Sequence, residues 1–243
     1  MAKKLYIVIP AYNEEANIKK TIDEWYGVIV RHQNDCDGRL LVIDDGSKDS
    51  TYKIMQECKN KYPLLDIITK PNGGHGATVL YGYKFAIENN ADFVFQTDSD
   101  GQTSPLEFDQ FWELRDNYDM LIGWRNNRED GISRILVTKV LKIIIQLFFS
   151  ESVLDANTPF RLMKSDSLKK VLKYVPDNFN LSNVIVCIAY IKCKYKVRFI
   201  PISFKARQGG KNSINFLRIF SIGKRAVLDF WNINEAFRKD GIR

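Results

Sequence analysis

Two carboxylates and an amide follow one short apolar run near the middle of the chain. The run 93–95 has the composition of a buried strand, and Asp98, Asp100 and Gln102 come soon after it. Like charges held a few ångströms apart are costly unless a cation or a proton lies between them. Carboxylate and carbonyl oxygens are the ligands that Mg²⁺ and Mn²⁺ prefer. The spacing therefore favours a divalent-cation site formed by these three side chains, and a capped turn without an ion is the alternative.

Three further segments have residue types suited to a nucleotide. Asp45 stands in an Asp-Asp-Gly-Ser turn, where its carboxylate suits nucleobase N–H groups or ribose hydroxyls, although Asp and Gly also form turns without a ligand. Glu14 lies in PAYNEE, which equally fits a helix start. The glycine loop PNGGHGA, residues 71–77, opens a helix and could hold phosphates with backbone N–H groups, with His75 close to them. Its spacing is not that of a dinucleotide fingerprint, which disfavours an oxidoreductase.

Several arginines of the second half stand in apolar or glycine-flanked contexts, where an unpaired guanidinium is costly. The four of interest are Arg125, Arg134, Arg161 and Arg207. A phosphate-bearing partner would explain them, and a solvated basic face is the alternative.

Alternating strand and helix patterns must position these residues. Apolar runs predict strands over 5–9, 40–43, 66–69, 93–95 and 120–122. Helical patterns lie between or after them, over 14–30, 49–61, 77–89 and 105–117. This alternation predicts an α/β fold with a mostly parallel sheet and helices on both faces. Ligands of such sheets bind beyond the carboxyl ends of the strands, which is where the candidate residues fall.

The second half predicts apolar helices over 132–149, 181–191 and 214–231, with a strand over 197–200. We expect one catalytic domain over 1–212, with a nucleotide-binding half at 1–122 and an acceptor half at 123–212. Residues 213–243 are expected to form an amphipathic C-terminal helical extension. The N-terminal apolar run, residues 5–9, is too short for a signal peptide, and no uninterrupted apolar stretch approaches 18 residues, so neither a signal peptide nor a membrane span is expected.

Charge is divided unevenly along the chain. Residues 1–122 contain 13 Lys and Arg against 20 Asp and Glu, a net −7, and because the whole chain carries +7 the remainder carries +14. A basic half suits nucleic acid, anionic lipid or a phosphate-bearing substrate. No nucleic-acid-binding module is recognisable, so no nucleic-acid partner is expected. The four cysteines lack metal or disulfide spacing and are expected to be reduced.

Together these segments resemble the family-two glycosyltransferases of the GT-A fold. Within that family the sequence is similar to the dolichyl- and polyprenyl-phosphate sugar synthases, the branch that includes dolichyl-phosphate mannose synthase. The resemblance covers about residues 5–215 and rests on seven segments in family order: IVIPAYNEE, LVIDDGSKDST, NGGHGA, DFVFQTDSDGQTSP, LIGWRNNREDGISR, DANTPFRLM and ARQGGKNS.

The resemblance implies a role for each candidate residue. It places the nucleotide-sugar donor at Pro10, Tyr12, Glu14, Asp45, Gly76 and Asp98. It places the cation, Mg²⁺ or Mn²⁺, at Asp98, Asp100 and Gln102. It places the acceptor phosphate at Arg125, Arg134 and Arg161, with Arg207 as a looser counterpart. The residues it implies for catalysis are Asp98, Asp100, Arg125, Arg134 and Arg161.

The implied reaction is an inverting transfer of a sugar from a UDP- or GDP-sugar to a polyprenyl phosphate, with the cation stabilising the leaving diphosphate. Such an acceptor is already ionised and needs no strong base. Two alternatives stay open. One is transfer to a cell-surface polysaccharide or glycan, for which Asp155 or Glu129 would be candidate bases. The other is nucleotide-sugar binding without turnover.

The resemblance also implies a place in the cell. We expect a cytoplasmic protein that is peripheral at the inner face of the cell membrane, since a lipid acceptor requires the site to lie at the membrane surface. The helices over 132–149 and 214–231 are candidates for that interface. The helix over 132–149 fits at least as well as a core helix or a homo-oligomer contact, whereas the pattern over 214–231 favours a membrane or subunit contact.

Overall fold

Strongly apolar runs form the strands of the central sheet, because a parallel strand covered on both faces must be apolar on both. The computed structural model describes residues 2–125, 132–177, 179–205 and 229–242, and for 132–140 only the helical backbone. The strands of the described sheet are β1 (Lys3–Ala11), β2 (Cys36–Asp44), β3 (Leu65–Thr69), β4 (Phe93–Gln96), β5 (Met120–Arg125), β6 (Arg161–Lys164) and β7 (Val197–Ile202).

The sheet has the order β3-β2-β1-β4-β6-β5-β7. Every neighbouring pair is parallel except those of β6, which runs antiparallel to both β4 and β5. The predicted mostly parallel sheet is therefore confirmed. The carboxyl ends of β1, β2, β4, β5 and β7 meet at one edge.

β6 is the one strand of the described sheet that the sequence pattern did not predict. Its four residues, RLMK, are too few to show a period. Tertiary pairing creates the strand, because Leu162 lies between Phe95 of β4 and Leu121 of β5.

The helices largely follow the predicted positions. They are α1 (Ile18–Arg31), α2 (Thr51–Lys59), α3 (His75–Glu88), α4 (Phe108–Leu114), α5 (Ile132–Phe149), α6 (Ser165–Val171) and α7 (Ser182–Lys192), and residues 229–239 form a helix that we call α8. Short 3₁₀ turns occupy Pro105–Glu107 and Leu172–Tyr174. The predicted helix over 105–117 is thus a 3₁₀ turn followed by α4, and α6 was not predicted.

Helices cover both faces of the sheet, as predicted. One core contains α1, α2 and α4, where Trp25 packs on Phe95 with ring centroids 5.3 Å apart. The other contains α3, α5, α6, α7 and α8. In that second core Phe230 of α8 lies 5.6 Å from Phe149 of α5, centroid to centroid.

The described part of the predicted C-terminal extension is therefore docked on the sheet domain. Phe230 and Phe237 of α8 are completely buried. Residues 206–228, which carry most of the predicted 214–231 helix, lie outside the described residues. Within the described residues, no helix combines the length and the apolarity needed to cross a bilayer.

Helix α3 packs on β1 and β2 through a glycine. A Cβ on Gly82 would lie 2.3 Å from Val8 Cγ1 and 2.8 Å from Ile43 Cδ1, both in the sheet. We expect Gly82→Ala to lower the free energy of unfolding by about 1–3 kcal/mol, since an added methyl group strains a filled core.

The matched control is Gly27→Ala in α1, where an added Cβ meets nothing within 4 Å. This variant should be neutral or more stable by about 0.5–1 kcal/mol, because alanine favours the helix over glycine. Urea unfolding followed by circular dichroism gives both values. Equal stability of the two variants would contradict the close packing of α3 on the sheet.

Candidate active site

The acidic loop, residues 97–104, leaves the carboxyl end of β4 near the middle of the sheet. The hydroxyls of Thr97 and Thr103 hydrogen-bond across its base at 2.7 Å, both residues being buried. Gly101 has φ +70°, a left-handed conformation that glycine adopts without strain. From α1, Thr21 donates its hydroxyl to Ser99 O at 3.0 Å. These contacts fix the backbone from which Asp98 and Asp100 project.

Asp98 faces the glycine loop. Its Oδ1 lies 2.9 Å from Nε2 of His75, the first residue of α3. Partial loss of water around the half-exposed ring acts to lower the pKa of His75, but the carboxylates of Asp98, Asp100 and Asp45 outweigh it and raise that pKa above its usual value. His75 thus lies in the electrostatic field of three carboxylates, those of Asp45, Asp98 and Asp100.

Gln102 faces the opposite side of the acidic loop. Its Nε2 donates to Lys205 O at 2.9 Å, and Lys205 N donates to Gln102 O at 2.8 Å. The backbone N–H of Gln102 also donates to Asp100 Oδ1 at 3.2 Å. Because the amide nitrogen of Gln102 is directed at Lys205, its amide oxygen is the atom left to accept other partners.

The side-chain oxygens of Asp98, Asp100 and Gln102 fit a hard divalent cation. Asp98 and Asp100 supply carboxylate oxygens and Gln102 an amide oxygen, which is the chemistry of Mg²⁺ and Mn²⁺ sites that keep part of their water. Among the described residues, no group of three or more His, Cys, Asp or Glu side chains could hold a metal. A cation held here would therefore complete its coordination with Gln102, water or a substrate phosphate.

Asp45 anchors the glycine loop. Its Oδ1 accepts the N–H of Gly73 and its Oδ2 that of Gly74, each at 2.9 Å, and it forms an ion pair with Lys70. Asn72 also contacts this residue, because its side-chain amide N–H donates to the backbone oxygen of Asp45 at 2.9 Å. In this structure the Asp45 carboxylate thus organises the loop, and any contact with a nucleoside would be shared with these bonds.

Gly76 is placed by packing. A Cβ on it would lie 2.1 Å from Phe179 O, so only glycine allows α3 to approach the 179–182 segment. Ser182 donates its hydroxyl to Gly76 O at 3.2 Å. The tight packing accounts for the glycine without a ligand, and the predicted donor contact at Gly76 stays a prediction.

The end of β1 completes this side of the site. Pro10 lies beside Ile43 of β2, and Tyr12 just beyond the strand is 40% exposed. Glu14 is buried and accepts the side-chain amide of Asn17 at 2.8 Å. These positions share a sheet edge with Asp45 and the acidic loop, as predicted, and the exposed Tyr12 ring is available to a ligand.

Arg125 is engaged inside the protein. Its Nε and Nη2 donate to the two carboxylate oxygens of Asp155 at 2.8 and 2.9 Å, and both side chains are largely buried. The guanidinium also lies over the Phe204 ring, 4.9 Å from its centroid. A bidentate, stacked guanidinium is held as a structural group.

Arg161 is completely buried. It donates to Thr158 O at 3.1 and 2.6 Å, to Asn183 O at 2.9 Å and to Ala156 O at 3.1 Å. The predicted contacts of Arg125 and Arg161 with an acceptor phosphate stay a prediction, and in the structure both side chains donate to protein atoms. The side chain of Arg134 and all of Arg207 lie outside the described residues.

Sequence reasoning missed three of the residues that shape the site. Thr21, Lys70 and Lys205 contact the acidic loop or Asp45, yet each comes from a distant segment. No spacing in the chain signals those contacts. The predicted strand ends indicate which segments share a sheet edge, but not which side chains contact one another there.

Comparison with known proteins gives a family match over most of the chain. The profile of "Glycosyl transferase family 2" matches residues 6–172. A UDP-N-acetylglucosamine–dolichyl-phosphate N-acetylglucosaminyltransferase of Methanococcus voltae is 30% identical over 190 residues, which cover 70% of this chain and 73% of that protein. An undecaprenyl-phosphate 4-deoxy-4-formamido-L-arabinose transferase of Salmonella paratyphi B is 24% identical, over 90% of this chain and 65% of the relative's length.

Solved structures share the fold. Glucosyl-3-phosphoglycerate synthase from Mycobacterium tuberculosis, in complex with Mn²⁺, UDP and phosphoglyceric acid, superposes with a TM-score of 0.70 at 14% identity, covering 96% of this chain and 78% of that one. S. aureus TarS 1–349 in complex with UDP-GlcNAc gives a TM-score of 0.63 at 17% identity, covering 93% and 66%. These likenesses confirm the expected GT-A fold.

The Arg125–Asp155 pair can be tested as a structural unit by a double-mutant cycle. We expect each single alanine variant to lower the free energy of unfolding by about 3 kcal/mol, because it leaves a buried charge unpaired. The double variant should lose less than the sum of the two, with a coupling of about 2 kcal/mol.

The exposed pair Lys84–Asp177 is the control cycle, since its side chains are 48% and 75% exposed. Its coupling should stay below about 1 kcal/mol. Chemical denaturation of all the variants provides the measurement. Additive losses at Arg125 and Asp155 would show that the two side chains do not act as a pair.

Proposed function

Because the chain belongs to glycosyl transferase family 2, we propose that it transfers a sugar from a nucleotide-sugar to a polyprenyl phosphate, with inversion and with a divalent cation. The observation that carries this proposal is the acidic loop, where Asp98 and Asp100 are held at the carboxyl end of β4. The polyprenyl-phosphate acceptor is supported by the two relatives, whose names specify dolichyl phosphate and undecaprenyl phosphate.

The sheet order divides the surroundings of the acidic loop into two sides. On the donor flank lie the ends of β1, β2 and β3 with the glycine loop, and on the acceptor flank lie β6, β5 and β7. We assign the nucleotide to the donor flank, where Tyr12 is exposed and where Glu14 and Asp45 would share with it the hydrogen bonds that they accept from Asn17, Gly73 and Gly74. An acceptor that approaches from the other flank meets the sugar on the side away from the diphosphate, which suits a single inverting displacement.

The cation would be held by Asp98, Asp100 and Gln102. When bound, it neutralises the diphosphate and stabilises it as the leaving group. A solved structure of the same fold contains Mn²⁺ with UDP, which supports a divalent cation here and leaves Mg²⁺ and Mn²⁺ as candidates. The chain itself contributes a loop fixed by Thr21, Thr97 and Thr103, so the carboxylates need little reorganisation.

The engagement of Asp155 favours a phosphate acceptor over a glycan. A saccharide hydroxyl needs a general base, whereas a phosphate monoester is ionised at neutral pH. Asp155 was a candidate base, but both of its oxygens accept hydrogen bonds from Arg125. The carboxylate of Asp155 is thus occupied by Arg125. Glu129, the other candidate base, lies outside the described residues.

An exposed apolar surface on α5 and α8 supports a lipid acceptor. Leu147 and Trp231 are 75% and 60% exposed, and they line one cleft of about 880 Å³ that also contains Arg238. Ile143 is 59% exposed, and the exposed Lys142 is its neighbour on α5. Apolar side chains beside cations suit the interface of an anionic bilayer. We propose that the protein is peripheral at the cytoplasmic face of the membrane through this surface.

The reaction is tested with liposomes that contain undecaprenyl phosphate, labelled UDP- and GDP-sugars, and Mg²⁺ or Mn²⁺. We expect one donor to give a lipid-linked sugar, and Asp100→Asn to lower the rate about 100-fold or more, because one charge that holds the cation is lost. Asp37→Asn, on the exposed start of β2, is the charge-matched control and should keep the wild-type rate.

Two results would contradict this proposal. Transfer to a polysaccharide but to no lipid phosphate would make the protein a glycan-modifying enzyme. Nucleotide-sugar binding without transfer to either acceptor would make it a binding protein.

Membrane attachment is tested by vesicle flotation at low ionic strength. We expect Leu147→Gln combined with Trp231→Gln to reduce the vesicle-bound fraction severalfold, because each change removes apolar surface worth about 1.5–3 kcal/mol when buried. Val30→Gln, at the far end of α1 and 43% exposed, is the control and should bind as the wild type. Unchanged binding of the double variant would exclude this surface as the attachment site.

A further inference from the structure

The segment that follows β7, residues 203–205, is hydrogen-bonded to the acidic loop through Lys205. Lys205 N donates to Gln102 O at 2.8 Å, and Gln102 Nε2 donates back to Lys205 O at 2.9 Å. In the 3₁₀ turn that follows the acidic loop, Glu107 Oε1 accepts the backbone N–H of Ser203 at 2.8 Å. Phe204 lies under the Arg125 guanidinium. Three consecutive residues are thus held by three different partners, and the last of them, Lys205, contacts Gln102 of the acidic loop.

These contacts put Lys205 on the acceptor flank. Its neighbour Gln102 is on the side of the acidic loop that faces β7, whereas His75 contacts Asp98 from the donor flank. Lys205 is exposed, while its backbone is fixed through both its N–H and its carbonyl. The backbone of Lys205 therefore has a defined position beside the candidate cation site, and its side chain extends from there.

A phosphate on this flank needs positive charge, and the two described arginines expected to supply it are engaged elsewhere. Arg125 is bound to Asp155, and Arg161 donates to backbone carbonyls inside the core. Releasing either one would leave a buried group unpaired. Lys205 can approach a phosphate without breaking any of the contacts described for this flank.

We propose that Lys205 binds the phosphate of the acceptor and that Gln102 positions it. The proposal rests on the proposed function, since it takes the acceptor to be an isoprenyl phosphate. An ammonium group gives a strong charge-assisted hydrogen bond to phosphate and, as a compact charge on a flexible stem, tolerates changes in phosphate orientation. Gln102 thereby joins the two substrates, with its amide oxygen toward the cation and its amide nitrogen on the Lys205 carbonyl.

Isothermal titration of geranyl phosphate, a short isoprenyl phosphate, tests this with the full chain in the presence of UDP and Mn²⁺, where no sugar can be transferred. We expect Lys205→Ala to weaken binding of geranyl phosphate about tenfold or more, since one charged hydrogen bond is lost. Lys205→Arg keeps the charge and should bind within about threefold of the wild type.

The control is Lys196→Ala, an exposed lysine just before the other end of the same strand β7. It should leave the affinity for geranyl phosphate unchanged. The affinity for UDP with Mn²⁺, measured in the same series, should be equal in the wild type and in Lys205→Ala, because the nucleotide lies on the donor flank. Raising the ionic strength should shrink the difference between Lys205→Ala and the wild type.

The outcomes separate this inference from the proposed function. If the wild type binds geranyl phosphate and Lys205→Ala binds it equally well, the role of Lys205 is wrong and the acceptor class stands. Equal losses in Lys205→Ala and Lys205→Arg, or a matching loss of UDP affinity, also overturn the role of Lys205. If the wild type binds UDP with Mn²⁺ but no geranyl phosphate, the acceptor class itself is wrong.

Discussion

Electrostatic repulsion between Asp98 and Asp100 is the constraint on which the rest of the site depends. Two carboxylates two residues apart at a sheet edge cost free energy, and the surrounding contacts keep them there. Thr21 and the Thr97–Thr103 bond fix the backbone, so the side chains cannot separate by moving the loop. What relieves the repulsion is positive charge brought to the loop. In the structure His75 Nε2 lies 2.9 Å from Asp98 Oδ1, and the neighbouring carboxylates raise the pKa of His75 above its usual value. A divalent cation would meet that need during turnover.

The same edge has a second anchored carboxylate with a different task. Asp45 accepts two glycine N–H groups and pairs with Lys70, so its charge is compensated within the protein. An anion already occupies the backbone N–H groups of Gly73 and Gly74, which makes them poor candidates for holding a phosphate. The glycine loop acts instead as a link between Asp45 and His75. Asp45 and the acidic loop are thereby connected through three successive residues, 73–75, of one short segment.

The sequence predicted the sheet and the clustering of candidate residues, but not which side chains are free. Apolar runs indicate parallel strands, and the carboxyl ends of such strands share an edge of the sheet. The sequence was therefore sufficient to predict that Asp45, Asp98 and Tyr12 lie at the same edge. Strand β6 could not be predicted, because four residues carry no period and the strand exists through pairing with β4 and β5. The hydrogen-bond partners of the arginines could not be predicted for a related reason. Pairing of Arg125 with Asp155 joins residues 30 positions apart, and no local pattern distinguishes an engaged guanidinium from a free one.

The distribution of arginine and lysine on the acceptor flank follows from their different chemistry. A planar guanidinium with several fixed donors suits a closed environment, and Arg125 and Arg161 are both used that way, bracing the segments 155–161 and 183 against the ends of β5 and β6. A lysine ammonium keeps its water easily and remains near the surface. The positive net charge of the second half therefore has two physical components. Buried guanidinium groups hold the segments beside β5 and β6, and ammonium groups such as those of Lys205 and Lys142 remain exposed at the surface. Net charge alone does not separate these components, whereas burial and hydrogen-bond partners do.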